Sequence, residues 1–142
     1  MEKLNNGQIR VLALGVITRE KDGRILATKE FDTKKKQTFY RLIGGGVDFG
    51  ETAKSALTRE FMEELGVEII IQGAANIQEN LFVYEGKQGH EVWFIYGVSF
   101  KDRSLYDLDN ILFVEDIHKG KSAVWVDPYE PGIVIYPNPK DF

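Results

Sequence analysis

The chain has 142 residues, 43% of them hydrophobic and 28% charged, a composition that fits one folded domain over residues 1–142 and excludes a disordered or fibrous chain. Its 18 Lys and Arg against 22 Asp and Glu give a net charge of −4, which lacks the basic footprint of a protein that coats long nucleic acid. A small anionic substrate remains compatible with that charge, because a bound divalent cation reverses the sign locally.

Cysteine is absent, so disulfides, thiolate metal sites and cysteine nucleophiles are excluded. Met1 to Arg10 is polar, without the apolar core of a signal peptide, and the runs Val11 to Ile17 and Val92 to Phe100 are too short to span a bilayer. The expected location is cytoplasmic, with no membrane partner.

The first predicted element is a strand over Arg10 to Thr18, rich in branched apolar residues. Asp22-Gly23 is a hairpin turn signal, with Arg24 to Thr28 as the return strand. Lys34-Lys35-Lys36 reads as an exposed basic loop. Thr38 to Ile43 reads as a short strand running into Gly44-Gly45-Gly46. Thr52 to Leu65 is the one strongly periodic helix, with Ala53, Ala56, Leu57, Phe61 and Leu65 on one face and Gly66 at the position where helices stop in a left-handed turn. Val67 to Ile71, Asn76 to Tyr84 and Glu91 to Phe100 read as strands, with Gly86 to Gly89 as the turn between the last two. Leu112 to Glu115 and Ala123 to Val126 are further strands around a Lys119-Gly120-Lys121 turn. Pro128, Pro131, Pro137 and Pro139 keep regular structure in the tail short. Many strands with one strong helix predict an α/β (α+β) sandwich with a mixed sheet.

The helix carries more than core residues. Glu60, Glu63 and Glu64 stand at i, i+3 and i+4, so that Glu64 lies roughly 40° from Glu60 and Glu63 roughly 60° to the other side. Like charges at these spacings repel by about 0.2–0.5 kcal/mol per pair, and they occupy the half of the helix where the dipole disfavours anions. A local rule broken in this way points to a functional site. A divalent cation resolves the conflict, and an all-oxygen donor set favours Mg²⁺, Mn²⁺ or Ca²⁺ over zinc.

These glutamates belong to a longer pattern. Gly45, Glu51 and the run Arg59-Glu60-Phe61-Met62-Glu63-Glu64-Leu65-Gly66-Val67 fit G-x5-E-x7-R-E-U-x-E-E-x-G-U, where U is bulky and apolar. With seven positions specified and roughly 7% per residue type, a chance match is on the order of 10⁻⁸ per starting position. This pattern resembles the box of the Nudix, or MutT-like, hydrolases. Tyr40 to Asp48 resembles the family's approach strand and glycine loop, with Ile43 where a proline is usual. Gly89 to Phe94 and the segment around Trp125 are weaker likenesses.

The resemblance implies a Nudix-type α/β/α sandwich with the box as loop-helix-loop. It also implies a second helix, for which only Leu105 to Asp116 or the tail has room. It implies metal ligands Glu60, Glu63 and Glu64, with the backbone carbonyl of Gly44, and Mg²⁺ as cofactor with Mn²⁺ as substitute. Arg59 is expected to pair with Glu51 and fix the loop against the helix, a pairing that also offsets carboxylate repulsion. Glu51, Arg59 and Glu63 are the catalytic candidates inside the box, and Glu115, preferred over Asp116, is the candidate general base outside it. Arg41, Gly45 and Gly46 are candidate substrate contacts, with Arg24 and Lys29 as weaker phosphate contacts. Among the aromatics, Phe39, Tyr40, Phe49, Tyr84, Trp93 and Trp125 are the candidates for stacking on a base. His90 and His118 lack spacing partners for a metal site.

The implied activity is hydrolysis of a diphosphate bond in a nucleoside diphosphate linked to another group, by water attack at phosphorus. Nucleotide sugars such as ADP-ribose, dinucleoside polyphosphates and nucleoside triphosphates are the candidate substrates. A nucleotide-sensing domain of the same type would not need every carboxylate, and an isopentenyl-diphosphate isomerase of the same fold would need a cysteine. The resemblance also implies that two copies can pair through exposed strands as a homodimer.

Overall fold

The computed structural model describes residues 7–114 and 120–141. Eight strands, β1 (Arg10–Val16), β2 (Ile25–Asp32), β3 (Gln37–Gly46), β4 (Ile69–Tyr84), β5 (Lys87–Phe100), β6 (Asn110–Leu112), β7 (Ser122–Val126) and β8 (Ile135–Tyr136), surround one helix, α1 (Ala53–Leu65). The strand order is β4-β5-β1-β3-β2-β7-β6, with β8 paired to β3. The β1–β5 and β3–β8 pairs are parallel and the others antiparallel. This is the mixed-sheet α/β class that the pattern predicts.

The centre of the sheet is buried on both faces. Ala13, Ile43, Tyr96, Val98 and Phe100 pack against Ala56, Leu57, Phe61 and Leu65 of α1. Leu12, Leu14, Leu42, Trp93 and Ile95 form a second cluster on the opposite face, closed by Ile133 and Ile135 of the tail. Alternate residues of β1 therefore serve different cores, as the two-residue period of a strand requires. No second α-helix is found among the described residues. The region assigned to it holds a 3₁₀ turn (Arg103–Asp107) and β6, and the tail holds another short 3₁₀ turn (Pro139–Asp141). No described helix is long and apolar enough to cross a membrane.

Several boundaries differ from the sequence reading, each for a local reason. β2 runs four residues past Thr28, because beyond that point it leaves β7 and continues as a two-stranded hairpin with β3, where Lys29 is exposed. The two strands expected at 67–71 and 76–84 are one strand with a register shift between Gln72 and Asn76. The β4–β5 turn is Glu85-Gly86, both at positive φ (52° and 77°), and Gly89 lies within β5 under the ring of Phe82. The strand expected at 112–115 stops at Leu112, since Val114 turns away to donate its N–H to the Glu64 carbonyl (2.8 Å) near the end of α1.

Candidate active site

α1 is anchored at both ends. Thr52 caps its start by accepting from Ser55 N–H (3.1 Å), and Gly66 ends it at φ 67°, its N–H on the Met62 carbonyl (3.0 Å). The preceding loop is tied to itself, with Asp48 N–H on Glu51 Oε1 (2.9 Å) and Glu51 N–H on the Asp48 carbonyl (3.1 Å).

Arg59 is the hub between loop, strand and helix. Its Nη2 donates to Glu51 Oε1 (2.5 Å) and to the Gly46 carbonyl (3.0 Å), and its Nε to Glu51 Oε2 (3.2 Å). Its Nη1 reaches Glu60 Oε1 (3.0 Å) and Glu63 Oε2 (3.2 Å), and Asp48 lies 3.4 Å from Nη2. The expected Arg59–Glu51 pairing is therefore present as a two-point contact, of the kind that a guanidinium makes and an ammonium cannot. The hydrogen bond from Arg59 holds the Glu51 carboxyl below its ordinary pKa. The same bond, against an opposing effect of burial, raises the pKa of Arg59.

The glutamates divide by face. Glu63 points outward with Arg59 and is half exposed, whereas Glu64 is buried with the apolar residues of the helix. Glu60 lies flat on the glycine strand: a Cβ on Gly45 would fall 2.5 Å from Glu60 Cδ and 2.6 Å from both of its oxygens. Gly45 is thus the space that the carboxylate occupies. Gly44, whose carbonyl is the expected further ligand, packs against the backbone of Ala13 and Leu14. Among the described residues no three His, Asp or Glu side chains form a ready-made metal cage. The donors at hand are carboxylate oxygens beside the glycine run that ends β3, a chemistry that fits a hard divalent cation.

On the other face of the sheet lies a cavity of about 450 Å³, between the β2–β3 and β4–β5 hairpins. Phe39, Tyr84, Trp93 and Tyr136 give it aromatic walls, and Asn80, Arg41 and Glu91 supply polar atoms. Phe39 meets Tyr84 and Tyr136 edge-on, with ring centroids 5.9 and 5.8 Å apart. Glu91 is buried on β5, accepts from Trp93 Nε1 (2.9 Å) and faces Arg10 Nη1 at 3.6 Å. Arg10 in turn lies beside Gly46, its Nη2 3.4 Å from where a Cβ would stand. Arg10 and Glu91 therefore connect the glycine loop to the cavity.

Of the residues singled out from sequence, Arg41, Phe39, Tyr84 and Trp93 line this cavity and Gly46 adjoins Arg10. Tyr40 packs into the sheet core, and Phe49 is fully exposed. Trp125 belongs to the helix-side core, stacked on Tyr106 and under Arg19. Arg24 pairs with Asp22 at the first hairpin turn, and Lys29 projects from β2 outside the cavity lining. His90 faces Glu79 across the β4–β5 hairpin at 3.8 Å. Glu115, Asp116 and His118 lie outside the described residues. Sequence reasoning passed over Arg10, Glu91, Asn80 and Tyr136. Glu91 carried a signal, being the charged member of the inward-facing series Gly89, Glu91, Trp93, Ile95.

Comparison with known proteins supports the same reading. An RNA pyrophosphohydrolase of Wolbachia pipientis subsp. Culex pipiens is 28% identical over 103 residues, a match covering 65% of this chain and 62% of that protein. The chain thus spans less than two thirds of that relative's length. Among solved structures, a MutT NUDIX hydrolase from Burkholderia pseudomallei superposes with a TM-score of 0.60 at 24% identity, over 92% of this chain and 93% of that one. The E. coli ORF135 protein superposes at 0.54 and 21% identity, over 92% and 83% of the two chains. An ADP-ribose pyrophosphatase from Streptococcus suis gives 0.54 at 12%, over 88% and 78%. These three share the fold. The family model of the NUDIX domain matches residues 9–133, nearly the whole chain, and the protein belongs to the Nudix family.

Proposed function

We propose that the protein is a metal-dependent pyrophosphohydrolase that cleaves a diphosphate bond in a nucleotide-like substrate. The observation that carries this reading is the Glu60 carboxylate resting in the space left by Gly45, with Arg59 locking the same glycine run to Glu51. Glu60 and Glu64, with Glu63 and the Gly44 carbonyl, are the residues that would hold the cation. When bound, a divalent cation supplies charge neutralisation at the diphosphate and a more acidic water. The chain's own residues do the rest. Arg59 and Glu51 keep the loop in register with the helix, so that Glu60 stays against the strand. Arg41, on the cavity wall, is positioned to meet an anionic group, and the aromatic cavity accommodates the nucleoside. Its size lies within the range of about 300–1,000 Å³ usual for small-molecule sites.

The named relatives include an RNA pyrophosphohydrolase and an ADP-ribose pyrophosphatase, and the proposal stops at the bond type shared by both names. The test is a phosphate-release and mass-spectrometric screen over nucleoside triphosphates, nucleotide sugars and dinucleoside polyphosphates with Mg²⁺ or Mn²⁺. Hydrolysis of at least one class is expected, abolished in Glu64→Gln without loss of the fold. Nucleotide binding with no hydrolysis of any diphosphate, or wild-type turnover in Glu64→Gln, would overturn the proposal in favour of a sensor or a different reaction.

A further inference from the structure

The two hairpins that wall the cavity come from distant parts of the chain, and no strand of one pairs directly with a strand of the other; they are joined in the sheet only through β1. β4 pairs with β5, and β2 with β3 and β7. Their tips are nevertheless tied to one another. Asp32, only 2% exposed, accepts from Lys34 N–H (2.9 Å) and Lys35 N–H (3.1 Å) through Oδ1, and from Glu85 N–H (3.3 Å) through Oδ2. The Glu85 carboxylate returns the contact, taking Thr33 N–H (2.7 Å) on Oε1 and the Thr33 hydroxyl on Oε2. The arrangement is reciprocal: each tip offers a carboxylate to backbone N–H of the other.

Local turn chemistry does not require this. Glu85 sits at φ 52°, a conformation that glycine, asparagine or aspartate adopt more readily, and Asp32 places a carboxylate where burial is costly without several donors. Both departures make sense as parts of a clasp. The cavity shows what the clasp controls. Phe39 and Arg41 stand on the β3 wall, Asn80 and Tyr84 on the β4 wall, and Asp32 itself lines the space between them.

We propose that Asp32, Thr33 and Glu85 are positioning residues that clasp the hairpin tips and thereby set the width of a slot for a planar aromatic base. This rests on the cavity receiving the nucleoside end of the substrate, as proposed above. The clasp acts through the aromatic walls rather than by touching the substrate. Opening it should weaken nucleotide binding while leaving the distant carboxylate helix, and so the rate at saturation, unchanged.

The probes are AMP and GMP, titrated calorimetrically without metal into the wild type, Glu85→Ala and Thr33→Val, alongside amide exchange of the hairpin tips and steady-state kinetics on the best substrate. Glu85→Ala removes both bonds of the Glu85 carboxylate and should raise Kd for the better probe, and KM, tenfold or more, with kcat within about threefold of wild type. Thr33→Val removes one donor from an exposed site and should give a smaller rise of about threefold, covering the case in which Glu85→Ala folds poorly. Amide protection at residues 33–35 and 85 should fall in step. Wild-type affinity in a variant whose tip amides exchange freely would overturn the proposal, as would tip amides that stay protected in Glu85→Ala or a loss confined to kcat. Failure of the wild type to bind either probe would also overturn it. Clasp-dependent binding without hydrolysis of any nucleotide would leave this inference standing and remove only the hydrolytic reading.

Discussion

The three consecutive glycines make a sharp test, because a Cβ would meet different surroundings at each. Gly44 lies at φ 149°, and a Cβ there would run into the Ala13 carbonyl oxygen and come within 2.9 Å of Leu14 Cα. Both obstacles are backbone of the neighbouring strand and cannot yield. Gly44→Ala should cost about 3 kcal/mol, combining backbone strain of about 1–3 kcal/mol with the clash, and lower Tm by roughly 6–12 °C. Gly45 is different, since its obstacle is the far end of the Glu60 side chain at 2.5 Å. Carbon atoms prefer separations of about 3.5–4.0 Å, so the carboxylate must retreat by about 1 Å. A flexible side chain does that at little cost to folding, but a displacement of about 1 Å in a catalytic group costs on the order of 10²-fold in rate. Gly45→Ala should therefore keep Tm within about 3 °C of wild type. It should lose about 10²-fold in kcat/KM and need more Mg²⁺ for half-maximal activity. At Gly46 the nearest atom is Arg10 Nη2 at 3.4 Å, so Gly46→Ala should be tolerated in both respects. Calorimetric melting of the three variants, paired with hydrolysis rates across an Mg²⁺ series, reads the pattern. A Gly45→Ala enzyme with wild-type rate and metal dependence, or one as unstable as Gly44→Ala, would refute the placement of Glu60.

Trp125, packed with Phe100 and Tyr106 on the helix side, should behave as a core residue: Trp125→Ala should cost about 3–5 kcal/mol in denaturant unfolding while the surviving folded fraction keeps its KM, whereas Tyr84→Ala should raise KM with little loss of stability. Burial raises the pKa of the Asp32 carboxyl, but the N–H groups of Lys35, Glu85 and Lys34 outweigh it and hold the pKa below its ordinary value. Its contribution is accordingly complete above the ordinary carboxylate range and is lost as pH falls through the lowered value. The Glu85 amide should therefore stay protected at mildly acidic pH and open only below that range, as amide exchange against pH would show; opening near neutrality would contradict the contact.

The helix and its box were legible because their signals are local. A 3.6-residue apolar period and a Gly stop define α1 without reference to anything distant. The Arg59–Glu51 pairing was likewise accessible, since both residues belong to the box pattern. The cavity was not. Its aromatic walls come from β3, β4, β5 and β8, and Tyr136 joins them only because β8 takes up the edge of β3 that β1 leaves at Ile43. Such an encounter between residue 41 and residue 136 has no periodicity to announce it. The implied second helix is absent among the described residues for a related reason. Residues 103–112 are spent on a short 3₁₀ turn and an edge strand, while the tail covers the second face with Ile133 and Ile135 in extended chain.

Electrostatics at the box leaves one consequence that needs no substrate to observe. Arg59 stands among Asp48, Glu51, Glu60 and Glu63, so that four carboxylates gather at one guanidinium, with Glu64 buried one turn beyond Glu60. Carboxylates gathered this closely repel one another in the folded state, and the unfolded chain separates them. A divalent cation taken up by Glu60 and Glu64 binds the folded form in preference and should stabilise it by linkage. At a concentration of 100 times Kd the gain is about 2.7 kcal/mol, equivalent to a Tm rise of roughly 5–11 °C for a chain of this size. Melting curves across an Mg²⁺ series should show that rise in the wild type and little of it in Glu64→Gln. A wild-type Tm indifferent to Mg²⁺ and Mn²⁺ alike would mean that the carboxylate face does not bind a cation in the absence of substrate, and an equal rise in Glu64→Gln would place the bound ion elsewhere.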